Sequence, residues 1–152
     1  MQINESRQPS VNGGKLKIAI ILPYFNDLLG IELYENTAAE LQTQGVKKEN
    51  ITLYRVSGSL ELPFAAQKII TKEKPDALIA LGIVIEGETK HFDLVVETTH
   101  QGLMEVQLKH NAPIAFGILA CKNKEQAIAR IDKNQLNKGK EFAQAALIQA
   151  TI

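Results

Sequence analysis

One cysteine, no excess charge of either sign and no long apolar run set the first limits on this chain of 152 residues. Cys121 has no partner for an intrachain disulfide, and neither it nor the three histidines form a cluster with metal-ligand spacing. A reducing compartment is the natural reading. Lys and Arg total 17 and Asp and Glu total 17, so the basic excess or stripe of a nucleic-acid binder is missing. Apolar runs such as Ile18-Ala19-Ile20-Ile21-Leu22 fall far short of the ~20 residues that span a bilayer. Residues 1–14 lack the apolar core of a signal peptide, and the expectation is a cytoplasmic protein without membrane or nucleic-acid partners. No Walker or Rossmann glycine pattern implies a nucleotide. No Gly-x-Ser-x-Gly elbow occurs and Cys121 carries no signal as a nucleophile, so covalent catalysis by Ser or Cys gains no support.

What is present suits one domain. Apolar residues make up 45% of the chain, enough at this length to bury a core without disulfides or structural metals. Residues 1–14, with Asn, Ser, Pro and paired Gly but no periodicity, read as a flexible N-terminal tail, ordered only where a partner surface takes it up; residues 15–152 read as a single domain. Within that domain four short apolar, β-branched runs, at 17–22, 51–56, 77–85 and 114–119, suit strands buried on both faces. Between them the spacing turns helical. Ile31, Tyr34, Ala38 and Leu41 recur at three and four residues, with Gly45 as a stop. Pro63 stands at a first helical turn ahead of Phe64, Ala66, Ile69 and Ile70. A third helix is expected over about 92–110, with Val95, Val96, Thr99, Leu103 and Val106 inward. Asn123 with Gln126 predicts a capping box for a short helix through Ile131, and a last helix should cover about 138–150. This alternation predicts an α/β fold of three layers, with a four-stranded parallel sheet and helices on both faces. Ligands in such sheets bind outside the carboxyl ends of the strands.

The segments after each run are therefore the candidate site. Phe25 follows the first run and can stack on a flat heterocycle, although ordinary packing would look the same; Asn26 or Asp27 can cap the next helix. After the second run, Gly58, Ser59 and Leu60 allow close approach of backbone amides and Glu61 can accept from hydroxyls or ring nitrogens; a solvated Glu in a first helical turn is the alternative. After the third run, Gly87-Glu88-Thr89 leads into a helix whose start favours an anion, and His91 lies at that same start. The positive end of the helix disfavours imidazolium and a bound phosphate would favour it, so the protonation state stays open. Phe116 in the fourth run can expose an aromatic edge or pack in the core, and Arg130 and Lys138 in the closing helices read as site cations or as solvated charge.

These pieces, taken together and in this order, resemble the lumazine synthase family from about Lys15 to the end. The residues that carry the resemblance are Phe25-Asn26, Gly58-Ser59-Leu60-Glu61-Leu62-Pro63, Gly87-Glu88-Thr89-Lys90-His91-Phe92-Asp93, Phe116-Gly117-Ile118-Leu119, Gln126-Ala127-Ile128-Ala129-Arg130 and Asn137-Lys138-Gly139. The resemblance implies a flavodoxin-like fold, a homopentamer with shared active sites and a transferase of riboflavin biosynthesis. That reaction condenses 5-amino-6-(D-ribitylamino)uracil with 3,4-dihydroxy-2-butanone 4-phosphate to give 6,7-dimethyl-8-ribityllumazine, with no cofactor or metal. By the same resemblance Phe25 stacks on the pyrimidine, Ser59, Leu60 and Glu61 hold the ribityl chain and ring, and the backbone of Ile83 and Val84 lies along the pyrimidine edge. Gly87, Glu88, Thr89 and Arg130 would bind the sugar phosphate and His91 would shuttle protons. Phe116, Arg130 and Lys138 would come from the adjacent subunit. A riboflavin synthase is a candidate partner.

Some positions depart from the family. Tyr24 replaces an Arg that often precedes Phe-Asn, and Glu86 stands where a basic residue is common; both would weaken the positive field around the phosphate. Asp132 and Leu136 replace two glycines between Arg130 and Lys138, in a connection without inserted residues. Such a short connection goes with members that close into a sixty-subunit shell. Rival readings are a flavin- or lumazine-binding module without turnover, a riboflavin synthase of the same fold, and a shell-forming homologue. Gly87 to Thr89 together with Arg130 favour a phosphate-bearing substrate over the second of these.

Overall fold

A computed structural model describes residues 8–152. Each apolar run forms a strand: β1 (Ile18–Pro23), β2 (Ile51–Val56), β3 (Ala77–Ile85) and β4 (Ile114–Cys121). Helices α1 (Asp27–Thr43), α2 (Leu62–Glu73), α3 (His91–His110), α4 (Lys124–Ile131) and α5 (Lys138–Ala150) occupy the connections. All strand pairs are parallel and the order is β2-β1-β3-β4, so the chain steps outward from β1 to β2 and then returns to add β3 on the other side. That reversal leaves a crevice at the carboxyl ends of β1 and β3, where connections leave toward opposite faces.

Two-residue alternation along the strands divides the core. Ile18, Ile20 and Leu22 of β1 and Ile79, Leu81 and Ile83 of β3 pack on α1, α4 and α5, through Leu33, Leu41, Ile131 and Leu147. Ala19 and Ile21 of β1 with Leu78 and Ala80 of β3 pack on α2 and α3, through Leu62, Ile69, Leu103 and Val106. The expected three layers are those seen. β2 pairs only with β1 and is mostly half-buried, as an edge strand must be.

Local differences have local causes. β4 runs two residues beyond the expected 114–119 because Ala120 and Cys121 pair with Val84 and Ile85 of the long central strand. The capping box at α4 is formed in one direction: Asn123 Oδ1 accepts from the Gln126 amide at 2.9 Å. Gln126 Oε1 accepts from the Lys122 amide at 2.8 Å, one residue before the cap. In the expected N-terminal tail, residues 1–7 lie outside the described residues, while the segment nearest the domain is tied down by the domain itself. Gly13 is buried and its amide donates to the Gln44 carbonyl at 2.8 Å; the Val11 amide donates to Gln44 Oε1 at 3.1 Å.

Helix α5 approaches the backbone of α1 closely at Gly139. A Cβ at Gly139 would stand 2.8 Å from Thr37 Oγ1 and 3.0 Å from both the Leu33 carbonyl oxygen and the Thr37 amide nitrogen. Two of those neighbours are backbone atoms of a helix buried at this point, so they cannot turn aside. Alanine favours a helix over glycine by about 1 kcal/mol, yet overpacking a tight contact costs about 1–3 kcal/mol. Gly139→Ala should therefore lower the thermal midpoint in calorimetry; an unchanged or raised midpoint would show that the two helices can part.

Candidate functional site

At the β1/β3 crevice lies a cleft of about 370 Å³, within the size range of small-molecule sites. Phe25 forms one wall, the segment from Gly58 to Glu61 a second, and the end of β3 from Ile83 to Ile85 a third; His91 and Val95 of α3 close it. The structure thus brings together seven of the residues singled out from sequence: Phe25, Ser59, Leu60, Glu61, Ile83, Val84 and His91.

Each wall is placed by a local device. Phe25 is 70% exposed, and its ring lies against Gly58: a Cβ there would lie 3.2 Å from Phe25 Cδ2. Glycine at 58 is thus a matter of close approach. Ser59 is buried in a single 3-10 turn, Ser59–Glu61, that runs straight into α2, and its Oγ lies against Gly82 of β3, where a Cβ would be 3.0 Å away. Glu61 is exposed at the rim. Among the lining residues Glu61 and His91 are the ionisable groups, and the rest of the wall is mainly apolar. A planar, partly polar molecule would find an aromatic face, hydroxyl and carboxylate acceptors, and one imidazole able to accept or give a proton.

Asn26 is a site residue that the sequence reading missed in this role. It precedes α1, as expected of a cap, but its side chain makes no capping bond. It adopts a left-handed backbone (φ 59°, ψ 45°) and donates from Nδ2 to the Ile83 carbonyl at 3.0 Å. The bond fastens the end of β1 to the end of β3 across the crevice. Asn tolerates left-handed backbone better than most residues, the only signal in the sequence for this arrangement.

The other predicted residues lie outside this cleft in a single chain. Residues 86–90 form an exposed loop between the lining residues Ile85 and His91, so Gly87, Glu88 and Thr89 rim the cleft without entering its wall. A Cβ at Gly87 would meet nothing within 4 Å, and Thr89 Oγ1 accepts from the His91 amide at 3.3 Å. Phe116, grouped with the segments at the strand ends, lies within β4 as its run had it, paired with Ala80 and tilted against His100 of α3 at 5.8 Å between rings. Arg130 is half-buried on α4 and donates from Nη1 to the Gln126 carbonyl of its own helix at 3.0 Å. Lys138 is buried at the start of α5, with Nζ 2.9 Å from Glu141 Oε2. The cleft therefore gathers Phe25, the turn at 59–61, the end of β3 and His91, and its lining contains neither Arg130 nor Lys138.

Tyr24, one of the departures from the expected pattern, stacks on a cation. The Arg55 guanidinium of β2 lies 4.1 Å from the centre of its ring. A positive charge thus stands beside position 24, supplied from the neighbouring strand.

Comparison with known proteins adds the chemical context. A family model for 6,7-dimethyl-8-ribityllumazine synthase matches residues 15–152. The chain is 42% identical over 136 residues to a Pediococcus pentosaceus protein of that name, covering 90% of this chain and 87% of the relative. It is 39% identical to one from Desulfovibrio desulfuricans, over 87% of this chain and 85% of the relative. It is 36% identical to one from Chlorobium limicola, over 97% and 94%. No helix among the described residues is long and apolar enough to cross a membrane, and no group of three or more potential metal ligands occurs among them.

Cys121 ends β4 beside this region and is 1% exposed. Burial pushes its thiol above the ordinary range, and the nearby Arg130 charge offsets that only in part. The thiol thus stays protonated at neutral pH, a poor nucleophile. Native protein should leave a thiol reagent unreacted until denaturant is added; rapid modification of the folded protein at neutral pH would contradict this burial.

Proposed function

Because this chain belongs to the 6,7-dimethyl-8-ribityllumazine synthase family, we propose that the cleft at the β1/β3 crevice is where it condenses 5-amino-6-(D-ribitylamino)uracil with 3,4-dihydroxy-2-butanone 4-phosphate. The observation that carries the placement is the assembly, in one cleft, of Phe25, Ser59, Leu60, Glu61, Ile83, Val84 and His91 from four separate stretches of chain. The pyrimidine stacks on Phe25, its edge runs along the backbone at Ile83 and Val84, and Ser59, Leu60 and Glu61 take the ribityl chain and ring. The phosphate sits over Gly87, Glu88 and Thr89, at the positive start of α3. Glu88 takes part there through its amide, with its carboxylate turned away from the like charge.

The reaction joins the 5-amino nitrogen to the ketone carbon with loss of water as an imine. Removal of a carbon-bound proton expels the phosphate, and the resulting enol returns to a carbonyl. Attack of the ribityl-bearing nitrogen on that carbonyl, with loss of a second water, closes the ring. Each stage moves protons without any net redox change, and His91 is the group in the cleft suited to carry them. The protein's remaining task is alignment of two reactants.

A phosphate-bearing substrate needs a cation that this cleft does not contain: its lining holds no Lys or Arg. That absence supports a site completed by the next subunit, with Arg130, Lys138 and Phe116 supplied across a head-to-tail interface in a homopentamer. In such a ring each subunit gives residues to one neighbour and receives them from the other. A sixty-subunit shell, cytoplasmic residence and a riboflavin synthase partner extend the same reading, as does the division into a residue 1–14 tail and a residue 15–152 domain.

Pure protein mixed with both substrates should give lumazine fluorescence and equimolar phosphate; tight binding without either product would make it a binding module instead. General acid–base assistance is worth about 10²–10⁴-fold. An amine and a ketone condense without a protein, so the loss in His91→Ala should start below that range, at about ten-fold or more, while the variant folds normally. Full activity across pH in that variant would remove His91 from the chemistry.

Sharing between subunits has its own test. Arg130→Ala should weaken the sugar phosphate by about ten- to a hundred-fold and spare the aminouracil, as loss of a charge-assisted hydrogen bond implies. Co-refolding Arg130→Ala with His91→Ala should then restore activity above either alone, because random mixing in a head-to-tail ring makes roughly one site in four intact. No recovery in mixed pentamers would place both residues in one subunit's site.

A further inference from the structure

Arg55 does not line the cleft, yet its side chain is tied at several points to the turn between β1 and α1 that carries Phe25. It pairs with Leu22 in the sheet register, and its side chain, 20% exposed, reaches over the carboxyl end of β1. Nε donates to the Leu22 carbonyl at 3.0 Å and Nη2 to the Pro23 carbonyl at 3.4 Å. The same Nη2 is ion-paired with Asp27, the first residue of α1, and the guanidinium face stacks on Tyr24. All of these attachments fall between residues 22 and 27, the six residues that present Phe25.

We infer that Arg55 is a positioning residue for substrate binding, holding the turn from β1 to α1 so that the Phe25 ring is already set for the pyrimidine. The inference rests on the proposed stacking role of Phe25. The need for such a residue follows from the exposure of the ring, which touches Gly58 on one side and solvent on most of the other. Nothing packed around Phe25 fixes its tilt, so the backbone on either side must. Asn26 secures the following side through the Ile83 carbonyl, and Arg55 secures the preceding side through two carbonyls and the Tyr24 ring while reaching across to the Asp27 carboxylate. A planar guanidinium can serve these partners together, whereas an ammonium is a single point charge with no flat face. Without the clamp the turn would have to be ordered by the substrate at the moment of binding. Ordering one such side chain typically weakens binding by up to about ten-fold.

The test compares Arg55→Met, Arg55→Lys, Phe25→Ala and the double variant Phe25→Ala/Arg55→Met, each confirmed as folded and assembled by circular dichroism and light scattering. Binding is read from fluorescence titration with 6,7-dimethyl-8-ribityllumazine, and turnover with each substrate varied separately. Arg55→Met should raise the Kd for the lumazine and the KM for the aminouracil by about ten-fold, leaving the KM for the sugar phosphate and kcat within about two-fold. Arg55→Lys should recover only part of the loss. If the effect passes through Phe25, the double variant should bind no more weakly than Phe25→Ala alone. Unchanged affinity in Arg55→Met overturns the inference, as does equal weakening toward both substrates, which marks general damage to the fold. Additive losses in the double variant overturn it too. The stacking reading fails separately: Phe25→Ala binding as tightly as the parent would remove the role of the ring, and that of Arg55 with it.

Discussion

Burial of β1 and β3 on both faces is the constraint from which the rest of the molecule follows. Ile18 through Leu22 and Ala77 through Leu81 meet helices above and below, so neither strand can shift register without moving apolar side chains into the wrong layer. Chains leaving the carboxyl ends of these two strands diverge, and the space between them is filled by neither face. The cleft is the consequence of that divergence. Its walls come from segments whose positions are set by strands, and two of its exposed members, Phe25 and His91, stand just beyond a strand and at the first residue of a helix.

Rigidity near the cleft is maintained by polar ties to backbone carbonyls. Carbonyls near the strand ends have lone pairs to spare, and two side chains use them: Asn26 at Ile83, Arg55 at Leu22 and Pro23. Each such bond ties a side chain to backbone that the sheet already holds, and so fixes the geometry of the wall. The chemistry proposed for the cleft asks for little more than alignment, one proton carrier and an anion site, and a wall with few degrees of freedom suits it.

Much of this could be read from the residues in order. The four apolar runs became the four strands because continuous β-branched stretches of that length have few alternatives in a chain with helical spacing between them. Phe25, Ser59 to Glu61, Ile83, Val84 and His91 converged because all sit at the carboxyl ends of parallel strands, a rule of topology that needs no coordinates. What stayed hidden depended on lateral register. Arg55 meets Leu22 only through the β1/β2 pairing, and a lone cation in an edge strand has no local signature. Asn26 looked like a cap, and its amide turned instead toward a carbonyl 57 positions away. Phe116 stood in an apolar run whose end was set by partners on β3, so its distance from the strand terminus could not be judged from composition.

Gly58 has a consequence for how this chain can change over time. It is buried under the Phe25 ring and makes no contribution to either layer of the core. A methyl group added there would press on an aromatic side chain that is free to swing outward, so the fold would absorb it with little strain. The ring, however, would leave its place. Selection at position 58 would then act through catalytic fitness with little warning from folding or abundance, and a lineage released from the need for turnover should lose this glycine before it loses the glycines wedged between helices.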